Sequence, residues 1–169
     1  TEIVAREMAE AGLKSALISS GGNIRAIGKP LDGVRERWGV GIQNPDESIV
    51  PDEQNVLDVI FINDSSVASS GDYMRYYVVN GRVLHHIIDP ATLMPADYYR
   101  AVTVMTAHAG VADFLSTTLF LLPFEQSRAL AESLDGVEAV WVMPDGEVKA
   151  TDGMKAIMRS QGASGASAR

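Results

Sequence analysis

Asp113, Ser116 and Thr117 are spaced i, i+3 and i+4, so in a helix they share one face. A carboxylate beside hydroxyl oxygens is a hard-oxygen set suited to Mg²⁺. It supplies one formal charge, so a complete metal site needs further ligands from elsewhere in the chain or from substrate phosphates. Asp113 is expected in the first helical turn, where the helix dipole favours a carboxylate. The alternative is a capping Asp with two buried hydroxyls bonded back to the helix. A second segment, residues 65–73 (SSVASSGDY), reads as a loop. Small hydroxyl residues before a glycine leave backbone N–H groups free to meet an anion such as a phosphate, or form an ordinary loop before a hairpin. A third segment is His85-His86-Ile87-Ile88-Asp89-Pro90. Adjacent strand residues point to opposite faces, so one histidine of the two serves any one site, as a base or a phosphate donor. The competing reading is a surface histidine, with Asp89 capping the turn at Pro90. His108, just before the helix, is the least informative of the three histidines.

Holding these groups requires a sheet, a hairpin and a helix, and the sequence predicts each. Ile3, Val4, Met8 and Ala11 recur at helical spacing, with Gly12 at the C-cap. Residues 15–20 (SALISS) read as a short buried strand, Gly21-Gly22-Asn23 as a turn, and 24–27 as the start of a second strand. A third strand over 38–42 stops at Asn44-Pro45. The strongly apolar run 56–62 is predicted to be a central strand. Residues 74–78 alternate up to Asn80-Gly81, a strong hairpin signal, and 82–88 return. Residues 101–106 form another strand, 111–122 a helix ending at Pro123, and 124–134 a second helix stopped by Gly136. A last hairpin joins 138–143 to 147–150 about Pro144-Asp145-Gly146. The fold class is α+β, a largely antiparallel sheet with helices packed on one side. Residues 1–158 form one unit and 159–169, rich in Gly, Ala and Ser, a flexible tail.

Composition narrows the function. The 169 residues suit one domain, and 46% hydrophobic residues suffice for one sizeable core. Net charge is −8 and the Lys and Arg are scattered, which argues against nucleic acid as a partner. Without cysteine there are no disulfides or thiolate metal sites. No apolar run reaches the roughly 18 residues of a membrane span, and no signal-peptide pattern is present. The chain opens on Thr1 in helix-like sequence, and is read as a processed or truncated product.

In this order the segments resemble the FAD:protein FMN transferases, the ApbE family. The residues that carry the resemblance are Ala16 through Arg25 (ALISSGGNIR), Trp38 through Pro45 (WGVGIQNP), Ser69-Ser70-Gly71-Asp72-Tyr73, His86-Ile87-Ile88-Asp89-Pro90, and Ala112-Asp113 with Thr117-Thr118-Leu119. The resemblance implies a tunnelling-type fold, FAD as donor, Mg²⁺ as cofactor, and transfer of FMN to a Thr or Ser hydroxyl of an acceptor redox protein, with AMP leaving. Asp113 and Thr117 resemble the helix ligands to magnesium, and Ser116 holds a position that also lies at the metal in relatives. His86 resembles the histidine beside the reacting pyrophosphate. Gly21, Gly22 and Asn23 resemble the turn that approaches the flavin, and Ser70 and Gly71 the loop beside it. The resemblance also implies an upstream flavin-binding segment missing from this chain, and an extracytoplasmic, membrane-anchored lipoprotein. Two departures stand out. Ala91, Thr92 and Leu93 replace the usual basic residue, Thr and Gly, and Phe114 replaces a small residue. Competing expectations are an FAD pyrophosphatase releasing FMN and AMP, and a flavin-binding module without turnover. A scaffold role has no repeat or heptad pattern behind it.

Overall fold

The computed structural model describes residues 1–45 and 55–166. Helix α1 (Glu2–Glu10) leads into a hairpin of β1 (Ala16–Ser20) and β2 (Asn23–Ile27). Its two-residue turn is Gly21-Gly22, both at positive φ, 59° and 87°, as the tight turn between right-twisted strands requires. A ribbon of β3 (Trp38–Gln43) and β4 (Val56–Ile62) follows, then β5 (Ser66–Gly71). The hairpin β6 (Tyr76–Val79) and β7 (Arg82–His85) turns at Asn80-Gly81, again with positive φ at both residues. A short pair, β8 (Ile88–Asp89) and β9 (Met94–Pro95), precedes β10 (Ala101–Thr106). Helices α2 (Ala109–Phe120) and α3 (Phe124–Ser133) lead to the hairpin of β11 (Glu138–Val142) and β12 (Val148–Ala150), and then to α4 (Asp152–Ile157).

Six strands form one antiparallel sheet in the order β1-β2-β5-β10-β11-β12. Strand β10 is buried along nearly its whole length, because both faces of the sheet are covered. On one face Val102, Val104, Ala139 and Trp141 meet Leu115, Leu119 and Phe120 of α2, with Ala131 of α3 in the same cluster. On the other face Ala26, Val67 and Val140 meet Val40, Ile42, Ile60 and Ile62 of the β3–β4 ribbon, with Met154 of α4. The antiparallel sheet expected from the sequence is therefore present. Helices α2 and α3 pack on one side of it, and α4 sits on the other.

Three local expectations are corrected. Residues 65–73, read as a loop, contain strand β5, paired with β10 from Ser66 to Gly71 and with β2 through Val67 and Ser66. Ser, Ala and Gly have low strand propensity, but their small side chains allow α2 to pack directly on this strand. Strand β4, expected at the centre of the sheet, belongs to the separate ribbon. Its second face is apolar because the chain's C-terminal stretch covers it: the Arg159 guanidinium lies 5.8 Å over the Phe61 ring, and a Cβ at Gly165 would come within 2.9 Å of that ring. Strand β1, expected to be buried, is a sheet edge with three of its five residues exposed and none fully buried. The tail expected over 159–169 is described to Ala166. A 3-10 turn at Arg159–Gln161 is pinned by Asp58, which accepts from Ser160 N–H (3.2 Å) and Ser160 Oγ–H (2.6 Å). The Gly165 carbonyl accepts from Glu36 and Arg37 N–H. Residues 167–169 lie outside the described residues.

Candidate functional site

The cavity of interest opens where the β1–β2 turn, the end of β5, the base of the β6–β7 hairpin and helix α2 come together. Its volume is about 470 Å³, and its wall includes Gly21, Ser70, Gly71, His86, Asp113 and Thr117. These come from four stretches separated in sequence. Tyr73, Met74, Arg75, Ile87, Ile88 and Leu121 complete much of the lining, and residue spacing alone had not pointed to them. Tyr73, Ile87 and Ile88 lie inside the motifs already noted and Arg75 just beyond one of them, which was the available signal for them. The Tyr73 ring lies across Gly71 so closely that a Cβ there would come within 2.3 Å of it. Only glycine leaves room for this aromatic wall. Burial and the neighbouring Asp72 carboxylate raise the Tyr73 phenol above its usual range, so the wall is neutral.

The two histidines point apart. His85 is buried, and its Nε2–H donates to the Ala96 carbonyl at 2.7 Å. Its Nδ1 accepts from Ile87 N–H at 3.2 Å, and its edge meets the Phe120 ring with centroids 5.6 Å apart. Both nitrogens are used inside the protein, so the ring serves the fold. His86 is exposed on the cavity wall. Its Nδ1 faces the Arg75 carbonyl at 3.3 Å. A carbonyl can only accept, so Nδ1 is the donor in this contact, and in the neutral form of the ring the lone pair lies on Nε2.

Helix α2 starts earlier than its sequence suggests, at Ala109, which places Asp113 in the second turn. The dipole argument for Asp113 therefore does not hold. The helix N-terminus is served by Glu2 of α1, whose carboxylate accepts from Ala109 N–H at 2.7 Å and lies 3.8 Å from Arg25 Nε. His108 Nδ1 accepts from Gly110 N–H as the N-cap. Asn23 ties the same end to the β1–β2 hairpin by donating from Nδ2 to the Ala109 carbonyl at 3.0 Å. Asn23 and Gly22 thus stand beside the cavity rather than on its described wall, while Gly21 faces it.

On the cavity face of α2, Asp113 and Thr117 are exposed one turn apart, and Ser116 is buried, 1% exposed. The Ser116 hydroxyl donates to the Asp113 carbonyl at 2.9 Å. Ser70 of β5 lies 2.9 Å from Ser116 Oγ and 3.1 Å from Thr117 Oγ1. Ser116, expected at the metal, is therefore turned away from the cavity, and Ser70 bridges it to Thr117. Among the described residues no cluster of three or more His, Cys, Asp or Glu side chains could hold a metal ion unaided. The donors that do face the cavity, one carboxylate and neutral hydroxyl oxygens, fit Mg²⁺ in its usual mode. That ion keeps several waters and shares one or two carboxylates with substrate phosphates.

A family model described as the ApbE family matches residues 1–141. The chain is similar to an FAD:protein FMN transferase of Treponema pallidum, 37% identical over 149 residues, covering 84% of this chain and 40% of that protein. It is also similar to one of Haemophilus influenzae, 35% identical over 130 residues, covering 76% and 36%. The chain thus spans about 40% of the length of the curated relatives it matches. Among solved structures, the ApbE protein of Thermotoga maritima superposes with a TM-score of 0.78 at 29% identity, over 92% of this chain and 49% of that one. The apo flavinyl transferase ApbE of Pseudomonas stutzeri gives 0.72 at 28% identity, over 92% and 47%. No helix among the described residues is long and apolar enough to cross a membrane.

Proposed function

The chain belongs to the ApbE family, and from that premise we propose that it carries the reaction site of a Mg²⁺-dependent FAD:protein FMN transferase. The reaction moves FMN from FAD onto a Thr or Ser hydroxyl of an acceptor protein through a phosphoester bond and releases AMP. The names of the relatives support the transfer activity. The observation that carries the reading is the convergence of Gly21, Ser70, Gly71, His86, Asp113 and Thr117 on one cavity. We further propose that the acceptor is an extracytoplasmic redox protein, and that the enzyme is anchored there as a lipoprotein. The parts of the relatives that this chain does not span would supply the remaining flavin contacts.

Cleaving a diphosphate asks for positioning and charge neutralisation more than covalent help. The acceptor oxygen attacks the phosphorus on the flavin side. A new P–O bond forms to the acceptor, the bond to the bridging oxygen breaks, and AMP leaves with that oxygen. His86, its Nδ1–H held by Arg75, offers Nε2 to take the hydroxyl proton. Asp113 and Thr117 would hold Mg²⁺, which when bound neutralises charge on the phosphate oxygens. Arg75 lines the same cavity and adds a cation.

Incubating the intact protein with FAD, Mg²⁺ and an acceptor carrying the target hydroxyl should add the mass of FMN to the acceptor. Asp113→Ala should abolish that gain while the circular dichroism spectrum stays unchanged. Wild-type labelling by Asp113→Ala at limiting Mg²⁺ would remove the metal assignment. FMN and AMP without labelled acceptor would indicate a pyrophosphatase, and FAD binding without any product a binding module.

A further inference from the structure

Resting on that reading, we infer that Ser70 and Ser116 form a one-way hydroxyl relay that turns the lone pairs of Thr117 into the cavity. Neither serine contacts the reacting groups in this role; both are positioning residues. Each hydroxyl has one proton to give. Ser116 spends its proton on the Asp113 carbonyl, which can only accept, at 2.9 Å. Its oxygen must therefore accept from Ser70, also at 2.9 Å. Ser70, its proton spent, can only accept from Thr117 at 3.1 Å. The Thr117 proton thus points at the protein, and its oxygen lone pairs face the cavity wall that it shares with Asp113. A divalent cation needs lone pairs, and a hydroxyl that points its proton at the cation repels it. The direction of the chain is set at its buried end, since Ser116 is 1% exposed and water does not compete there.

The relay also gives strand β5 a task beyond pairing. Ser70 sits on it 46 residues from Ser116 and 47 from Thr117, so the register of β5 against α2 decides whether the chain of protons closes. Removing Ser116 leaves the Ser70 proton free to turn toward Thr117, and removing Ser70 frees the Thr117 proton to swing outward. Either change should weaken the oxygen pair as a cation site while Asp113 and Thr117 themselves stay in place.

The test reads cation binding directly. Mn²⁺ is titrated into the intact protein in the presence of ADP as a diphosphate probe, and the free-ion paramagnetic resonance signal is followed. Ser70→Ala and Ser116→Ala should each weaken Mn²⁺ binding about tenfold, as expected for loss of an outer partner of a metal ligand. Thr117→Val should weaken it at least as much, and Ser70→Thr, which keeps the hydroxyl, should restore it. Thr118→Ala removes a hydroxyl on the same helix that bonds the Phe114 carbonyl and stands outside the chain, so its affinity should match the wild type. If Ser116→Ala does not fold, Ser70→Ala breaks the same link from the partly exposed side. Wild-type affinity in folded Ser70→Ala and Ser116→Ala proteins would overturn the relay. Absence of Mn²⁺ binding by the wild-type protein would overturn the metal reading of the site, and the relay with it.

Discussion

Two hydroxyl chains lie against helix α2, and they end differently. In the core, the Trp141 indole donates to Ser127 Oγ at 2.8 Å and Ser127 donates to the Leu119 carbonyl at 2.9 Å. Trp141, Ser127 and Leu119 are all fully buried, so every proton there ends on a protein acceptor and the chain is closed. At the cavity, Thr117, Ser70, Ser116 and the Asp113 carbonyl make a chain of the same chemistry, but its first member is exposed. The closed chain allows a large indole to be buried without an orphaned N–H, a cost of about 1–3 kcal/mol when it occurs. The open chain leaves one set of oxygen lone pairs for something that is not protein. The same residue types hold the fold in one place and present a surface to a ligand in the other, and burial of the terminal group makes the difference.

Removing the exposed histidine beside the open chain should have the largest effect on function. His86→Ala is expected to cut FMN transfer by roughly 10²–10⁴-fold, the usual worth of general acid–base help, with the melting temperature unchanged. His85→Ala should do the reverse, losing stability because the Ala96 carbonyl and Ile87 N–H lose their partner. A greater direct loss of turnover in a folded His85→Ala protein would exchange their roles.

The closed chain should break the fold instead. Trp141→Ala is expected to cost about 3–5 kcal/mol, as for a large aromatic lost from a packed core, measured by denaturant unfolding. Ser127→Ala keeps nearly all the volume and orphans the indole N–H, so it should cost about 1–3 kcal/mol. Unaltered Mn²⁺ affinity in the folded Ser127→Ala protein would sharpen the separation between the two chains, and a matching loss would dissolve it.

The smallest effect concerns alkaline pH. Tyr99 donates to the Leu122 carbonyl at 2.9 Å in the same core. Burial is the main cause that pushes its phenol from 10.0 up to about 12. Because the folded-state value is the higher one, the neutral phenol favours the fold. That contribution is fully present below pH 10 and is lost as pH rises through about 12. Tyr99→Phe should flatten the fall in stability over that interval, and an unchanged alkaline slope would remove Tyr99 as its source.

Much of this protein is written within a few residues at a time. Asn80-Gly81 specifies its turn because both residues tolerate positive φ. His85 closes β7 and His86 follows directly after it, and the two point apart as the alternation of extended backbone leads one to expect. The apolar periodicity of α2 and α3 and the ordered motifs of the ApbE family are likewise local. Other features depended on partners far along the chain. Strand β5, all Ser, Ala, Gly and one Val, is a strand because β2 and β10 flank it. The first N–H of α2 is met by Glu2, 107 residues away, beside the local His108 cap, and the start at Ala109 puts Asp113 in the second turn. Strand β4 lies in a ribbon because residues from 159 onward cover its outer face. Residue type and spacing determine which groups can share a face. Which of them reach the cavity, and which way their protons point, was decided only by tertiary contact, because a hydroxyl's direction is set by the acceptor it meets and not by its neighbours in sequence.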